Sequence, residues 1–361
     1  MTALRLLLTA DAVGGVWQYS MELARGLVPH GYEITLALLG PAPGAGQRAE
    51  AGALDGLRLV ELAGPLDWLA RDAASVRQAE AALAALAAEV GADIVQLHSP
   101  ALASQARYPC PVLAVCHSCV ATWWAAVRGG PMPADLAWRA ALVAEGLRKA
   151  GLVIVPTAAF GEALRRQYGS IPALAVVPNG RALLVRPADM RHRVFTAGRL
   201  WDAGKDVRTL DRAAARLDIP FAAAGPVIGP NGETIGLRNL RHLGILDPDQ
   251  IARELAGRPI FASAARYEPF GLAVLEAAAA GCALVLSDIP GFRELWSGVA
   301  TFAPAGNPDA FARAIKDLVA NPGARIAAGA RAQERAAHFT PALMAAQMAS
   351  FHAGLVKRAA A

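Results

Sequence analysis

Cysteine is scarce in this chain, four among 361 residues, and the four are scattered, so they do not make the disulfide framework of a small secreted domain. A reducing compartment, the cytoplasm, is the expectation. Long apolar runs are missing as well: the Ala-rich stretch from Glu80 to Val90 is broken by charge, and nothing reaches the roughly 20 uninterrupted apolar residues of a membrane span. The opening Leu4–Thr9 is apolar but short. It lacks a cleavage site and runs into a glycine turn, as a first buried strand would. Lys and Arg outnumber Asp and Glu by 35 to 30, for a net charge of +5, yet no block of five basic residues occurs. That sets nucleic acid aside and leaves phosphates or an anionic lipid face as the partners such a charge suits. Neither glycine loop reads G-x-G-x-x-G with an acidic residue at the expected distance, which disfavours a nicotinamide-dependent oxidoreductase. Metal spacing is absent too. Cys116-His117-Ser118-Cys119 has no second Cys or His pair to complete a zinc site, so no metal is assigned.

What remains is an ordinary globular composition, 55% apolar and 18% charged, at a length that suits two domains. Short strand-like runs alternate with longer helical patterns. Leu4–Leu8, Glu33–Leu38, Asp93–Leu97, Val112–Cys116 and Leu152–Val155 form one series. Val194–Ala197, Pro220–Ala224, Pro259–Ala262, Ala283–Ser287 and Ala300–Ala303 form a second, with helices over Val207–Leu217, Gln250–Ala256, Gly271–Ala280 and Pro308–Val319. This is the grammar of parallel sheets with crossover helices, and it predicts an α/β chain of two doubly wound domains whose ligands bind outside the carboxyl ends of the strands. Pro178-Asn179-Gly180 and the basic stretch to Arg193 read as a linker. A last amphipathic helix begins at Pro341, and its apolar face needs a partner.

The residues that carry chemistry cluster in the second series. Glu268-Pro269-Phe270-Gly271-Leu272 and Glu276 place two carboxylates, with seven residues between them, across a strand-to-helix turn. Gly271 allows close backbone approach, the free N–H groups of the helix start favour a phosphate, and a carboxylate can accept two neighbouring sugar hydroxyls. Arg199 and Lys205, after Val194–Ala197, offer a planar fork and a point charge for phosphate oxygens. Asp206 reads as a cap of the helix from Val207 or as a competitor for Lys205. Asp247-Pro248-Asp249 looks like a D-x-D metal motif, but Pro at the first helical position and Gln250 three residues on make it a capping box. In the first series His117 and His98 each end a strand. Trp123 and Trp124, with Arg128 and the Arg139–Lys149 helix, could stack on an acceptor or meet a membrane. Adjacent helical residues do not share a face, so at least one Trp is expected in the core.

The Glu268–Glu276 segment resembles the E-x7-E motif of the retaining glycosyltransferases of family 4. Gly198-Arg199-Leu200 with Lys205 resembles the family's diphosphate clamp, Gly14-Gly15-Val16 its first glycine loop, Val177-Pro178-Asn179-Gly180 the segment before its interdomain linker, and His242–Leu246 its base-binding turn. The order is the family's, over nearly the whole chain. One departure is Asp206, where the family usually has Gly. The resemblance implies the GT-B fold, two facing Rossmann-like domains with the active site in the cleft between them. It places an acceptor-side domain over 1–182, completed by the C-terminal helix 341–358, and a nucleotide-sugar-binding domain over 192–338.

The implied activity is transfer of a hexose-type sugar, with retention, from a nucleoside-diphosphate-sugar to a glycan, lipid-linked or small-molecule acceptor. The donor is a substrate, and no tightly bound cofactor is expected. His117, Arg199, Lys205 and Glu268 are the implied catalytic residues. Gly14, Gly15, Arg199, Lys205, Leu243, Phe270, Gly271, Leu272 and Glu276 are the implied donor-binding ones. Partners are the donor and a sugar- or lipid-linked acceptor, with peripheral contact at the inner membrane face and no nucleic acid. The rivals are a non-catalytic nucleotide-sugar sensor and an epimerase or phosphorylase on the same fold.

Overall fold

The computed structural model describes residues 3–182 and 188–360, so part of the expected linker, 183–187, lies outside the described residues. Two compact units result: one runs through Gly180 and resumes at Pro341, and the other spans Arg181–Thr340.

The first unit holds β1 (Leu4–Asp11), β2 (Tyr32–Leu39), β3 (Leu57–Glu61), β4 (Ile94–Leu97), β5 (Val112–Val115), β6 (Leu152–Val155) and β7 (Leu174–Val176). They form one sheet in the order β3-β2-β1-β4-β5-β6-β7, every neighbouring pair parallel. A parallel sheet is covered on both faces, which is why β1 is apolar at Leu6, Leu7 and Leu8 in succession, all buried. β1 runs on to Asp11, past the Leu8 that apolar periodicity marks, because its polar end is internally bonded. Thr9 Oγ1 accepts the His98 N–H at 2.8 Å, and Asp11 Oδ1 accepts the Val13 N–H at 2.8 Å.

The helix Pro341–Ala360 belongs to this unit. It buries Met344, Ala345, Met348, His352 and Leu355, a helical stripe in one core with Leu23 and Leu27 of the helix Gly15–Leu27. The approach is close at Gly26, where an added Cβ would stand 2.4 Å from Ala345 Cβ.

The second unit holds β8 (Val194–Ala197), β9 (Phe221–Ala224), β10 (Arg241–His242), β11 (Ile260–Ser263), β12 (Leu284–Ser287) and β13 (Thr301–Ala303), ordered β10-β9-β8-β11-β12-β13. Strand alternation splits its core in two. Val194, Ala223, Ile260, Ala262 and Val285 join Phe311 in one cluster, while Phe195, Ala224, Phe261, Leu284 and Leu286 join Phe292 and Trp296 in another. In both sheets the strand order reverses once near the middle, between β1 and β4 and between β8 and β11. Diverging connections open a crevice at the carboxyl ends there, and Gly14, His98, Arg199 and Glu268 follow those four strands, with His117 after the adjacent β5.

Candidate active site

In the second unit the loops after β8, β9 and β10 are joined backbone to backbone. Gly198 N–H donates to Ala224 O at 3.0 Å and Gly225 N–H to Gly244 O at 2.8 Å. A Cβ at Gly225 would lie 1.8 Å from Gly198 O, so only glycine permits this packing. Leu243 packs partly buried on the core cluster beneath, with its N–H on Ala223 O at 2.9 Å.

Arg199 leaves this turn with 42% of its side chain exposed, so it can reach a ligand. Its Nη2 donates to Asp202 Oδ2 at 3.0 Å. Asp202 also accepts the Gly204 N–H at 2.8 Å. Burial pushes the Asp202 carboxyl up, but the charges of Arg199 and Lys205 and the Gly204 N–H outweigh it, leaving the group below its ordinary range.

Lys205 Nζ donates to Glu268 Oε2, with both side chains largely shielded. Sequence reading assigned one of these residues to phosphate and the other to sugar; the fold brings them together. Asp206 stands at the N-cap position of the helix Val207–Ala214 but makes no side-chain cap bond there, and it does not draw aside Lys205, whose ammonium is on Glu268. Its backbone is left-handed, φ 45°, and its Oδ2 accepts Thr209 Oγ1 at 2.8 Å and Arg266 Nε at 3.0 Å.

Gly271, at φ 94°, caps the helix Leu272–Ala279, and Glu268 Cγ stands 3.2 Å from where its Cβ would be. The Phe270 side chain is core, edge-on to Phe339 at 5.8 Å between centroids, so only its backbone is free to meet a donor. Leu272 is likewise packed against that core. Glu276, in the second turn of this helix, accepts Arg181 Nε at 2.7 Å, and the pair is only 13% and 16% exposed. Sequence reasoning missed Arg181, although it directly follows Val177-Pro178-Asn179-Gly180. Asp247 and Gln250 form the capping box that their spacing predicts.

In the first unit Asp11 Oδ1 gathers the N–H groups of Val13 and Gly14 and fixes the turn from which the helix at Gly15 starts. His98 follows β4 and His117 follows β5, and Tyr19 from the first helix completes a triangle of edge-to-face rings. Centroids are 5.0 Å apart for His98–His117, 4.6 Å for Tyr19–His117 and 5.1 Å for Tyr19–His98. His117 Nε2 is buried with no hydrogen-bond partner among the described residues. Burial pushes His117 down to about 4, and burial followed by the neighbouring His117 lowers His98 well below its ordinary value, so both rings are neutral at neutral pH.

Other sequence expectations settle differently. Trp123 and Trp124 are both half-buried, so neither is a fully buried core residue; Arg128 lies 5.7 Å over the Trp123 ring. Arg139 donates to Ala70 O at 2.5 Å and Lys149 to Ser104 O, which ties both to loops of their own unit. Among the described residues no group of three or more His, Cys, Asp and Glu stands where it could hold a metal ion, and no helix is long and apolar enough to cross a membrane. All four cysteines are free thiols.

Residues 13–183 match the family model Glycosyltransferase Family 4, and residues 233–335 match Glycosyl transferases group 1. The chain is a glycosyltransferase by class. No curated protein matches it. Among solved structures, a sucrose-phosphate synthase from Thermosynechococcus elongatus is similar at 19% identity and a TM-score of 0.81, over 98% of this chain and 100% of that one. HepE from Anabaena, in complex with UDP-glucose, aligns at 19% identity and a TM-score of 0.76, over 97% and 100%. WaaG, a glycosyltransferase involved in lipopolysaccharide biosynthesis, aligns at 14% identity and a TM-score of 0.72, over 97% and 100%. At these identities the likeness shows the fold, which is GT-B.

Proposed function

We propose that this chain moves a sugar from a nucleoside-diphosphate-sugar to an acceptor hydroxyl with retention of configuration. The observation that carries the reading is the joined set Arg199–Asp202 and Lys205–Glu268, at the carboxyl ends of β8 and β11, where that sheet reverses its order. Two cations suited to a diphosphate and a carboxylate suited to sugar hydroxyls stand there together, and Glu276, in the helix begun by Gly271, is the carboxylate for the ribose.

Arg199 and Lys205 bind the diphosphate and stabilise the charge that grows on it as the bond to the anomeric carbon breaks. For Lys205 this means exchanging part of its contact with Glu268 for phosphate oxygen, which leaves Glu268 free to accept from the sugar. The acceptor hydroxyl oxygen forms the new bond on the same face, and its proton passes to the departing phosphate. That route retains configuration without a covalent enzyme intermediate. Gly14 and Gly15 let the donor approach the backbone closely, the Gly14 N–H itself being held by Asp11 Oδ1. His117 Nε2, neutral and without a partner among the described residues, accepts a hydrogen bond from a hydroxyl of the transferred sugar. The same reading takes a sugar- or lipid-linked acceptor, a cytoplasmic location and peripheral contact with a membrane face.

The HepE complex makes uridine diphosphate sugars the first donors to try. A thermal-shift screen over uridine, guanosine and adenosine diphosphate sugars, followed by donor consumption with and without acceptor extract, tests the proposal. Stabilisation by one donor class and acceptor-dependent turnover with a retained anomeric centre by NMR are expected. No stabilisation by any donor, or turnover indifferent to acceptor, would remove the transferase reading.

A further inference from the structure

Behind His98 runs a buried chain of hydrogen bonds that no step of the proposed transfer uses. Tyr32 of β2 meets His352 Nδ1 at 3.3 Å, and His352 Nε2 meets Gln96 Oε1 at 2.9 Å. Gln96 Nε2 meets His98 Nε2 at 3.0 Å, His98 Nδ1 meets Ser20 Oγ at 3.2 Å, and Ser20 Oγ–H donates to Val16 O at 2.7 Å. Ser20, Gln96 and His352 are each 0% exposed and Tyr32 only 7%, so water cannot substitute for a missing partner. The chain joins the last helix to the first through the middle strand β4.

Such a chain can be polarised in two directions, and one contact decides between them. If Ser20 gave its proton to His98, its oxygen would face Val16 O at 2.7 Å with no proton between two acceptors. Ser20 therefore donates to Val16 O and accepts from His98, which carries its proton on Nδ1. His98 Nε2 is then an acceptor and takes the Gln96 amide. The Gln96 oxygen in turn takes a proton from His352 Nε2, and His352 Nδ1 accepts from the Tyr32 hydroxyl. Each bond of the chain then has one donor and one acceptor, with no conflict.

With both nitrogens committed, His98 has only ring carbons left to turn towards His117, at an interplanar angle of 89°. His117 rests against the His98 and Tyr19 rings, and its Nε2 has no partner among the described residues. We propose that Gln96 and His352 are positioning residues: they lock His98 as its Nδ1–H tautomer, and the locked ring sets the orientation in which His117 meets the transferred sugar. The second half of this statement rests on the reading of His117 under Proposed function; the first does not. It also gives the last helix a part in the site beyond packing, since His352 is supplied by it.

The first test needs no variant. In protein with 15N-labelled histidine, long-range proton–nitrogen correlation distinguishes the two neutral tautomers of each of the seven histidines. His98 should be protonated on Nδ1 and His352 on Nε2; the opposite pair would overturn the lock. Gln96→Glu replaces the amide donor by an acceptor and should move the His98 proton to Nε2, lowering kcat about tenfold with donor KM within about twofold. His352→Gln keeps a donor to Gln96 Oε1 and should retain most of kcat, while His352→Leu should match Gln96→Glu. A flipped tautomer with unchanged kcat would overturn the positioning role. If His117→Ala also leaves kcat unchanged, it is the His117 reading that fails, and the tautomer assignment stands on the spectra.

Discussion

Lys205 and Glu268, 63 residues apart in sequence, are hydrogen-bonded partners in the second unit. Glu268→Gln keeps the shape of the side chain and removes its charge, so the Lys205 ammonium becomes fully available to phosphate. Transfer is expected to fall at least about tenfold, because a charged contact to the sugar is lost. Affinity for free nucleoside diphosphate should stay level or rise a few-fold. Calorimetry beside initial rates checks this, and a loss of free-nucleotide affinity as large as that of Glu276→Gln would sink the division of labour between the two glutamates.

Glu276 answers to Arg181 at 2.7 Å. Glu276→Gln should weaken free nucleoside diphosphate and intact donor alike, by about ten- to a hundredfold, the range for a lost charged hydrogen bond. Arg181→Met leaves the carboxylate in place without its partner, so the weakening should be smaller and equal for both ligands. Binding isotherms for both variants decide the matter, and an effect confined to the sugar-bearing donor would place Glu276 at the sugar.

Arg199→Ala removes a cation whose contact strengthens as the diphosphate departs. A fall in kcat/KM of about 10²- to 10³-fold is expected, the usual cost of losing one such donor. It should appear in kcat as well as in KM, and wild-type kcat/KM on a verified donor would end the clamp assignment.

Acid should destabilise the first unit. Burial holds His352 at about 4 and His117 at about 4, against about 6.5 in an unfolded chain, and His98 shifts the same way. Between those values the unfolded chain binds protons that the folded one does not, so stability is fully present above about 6.5 and is lost as pH falls towards 4. The slope is about 1.4 kcal/mol per pH unit for each such histidine. Denaturant unfolding at pH 7 and pH 5 measures it. His352→Gln should show a shallower fall than wild type, and equal slopes would mean that His352 is not held neutral by the fold.

Residue order alone determined the inner strands of both sheets, nearly to the residue at Val194–Ala197 and Leu152–Val155, because a strand buried on both faces must be a short apolar run bounded by turns, but it missed the edge strands Leu57–Glu61, Leu174–Val176 and Arg241–His242, which have a neighbour on one side only. It also determined the capping box at Asp247, since a cap is satisfied within four residues. The positions after the strands, at Gly14, His98, His117, Arg199 and Glu268, were legible for the same reason: a local pattern tells where a strand stops. Which residues meet was not. Lys205 with Glu268, Arg181 with Glu276, and the path from Tyr32 through His352, Gln96 and His98 to Ser20 join residues 63 to 320 positions apart, save for the one local link from Gln96 to His98. Nothing local marks such a pair, because the cost of burying each polar group is offset only by a partner that tertiary packing delivers. Asp206 shows the limit from the other side: its sequence position is a helix cap, but its left-handed backbone and Arg266, 60 residues away, gave its carboxylate another use.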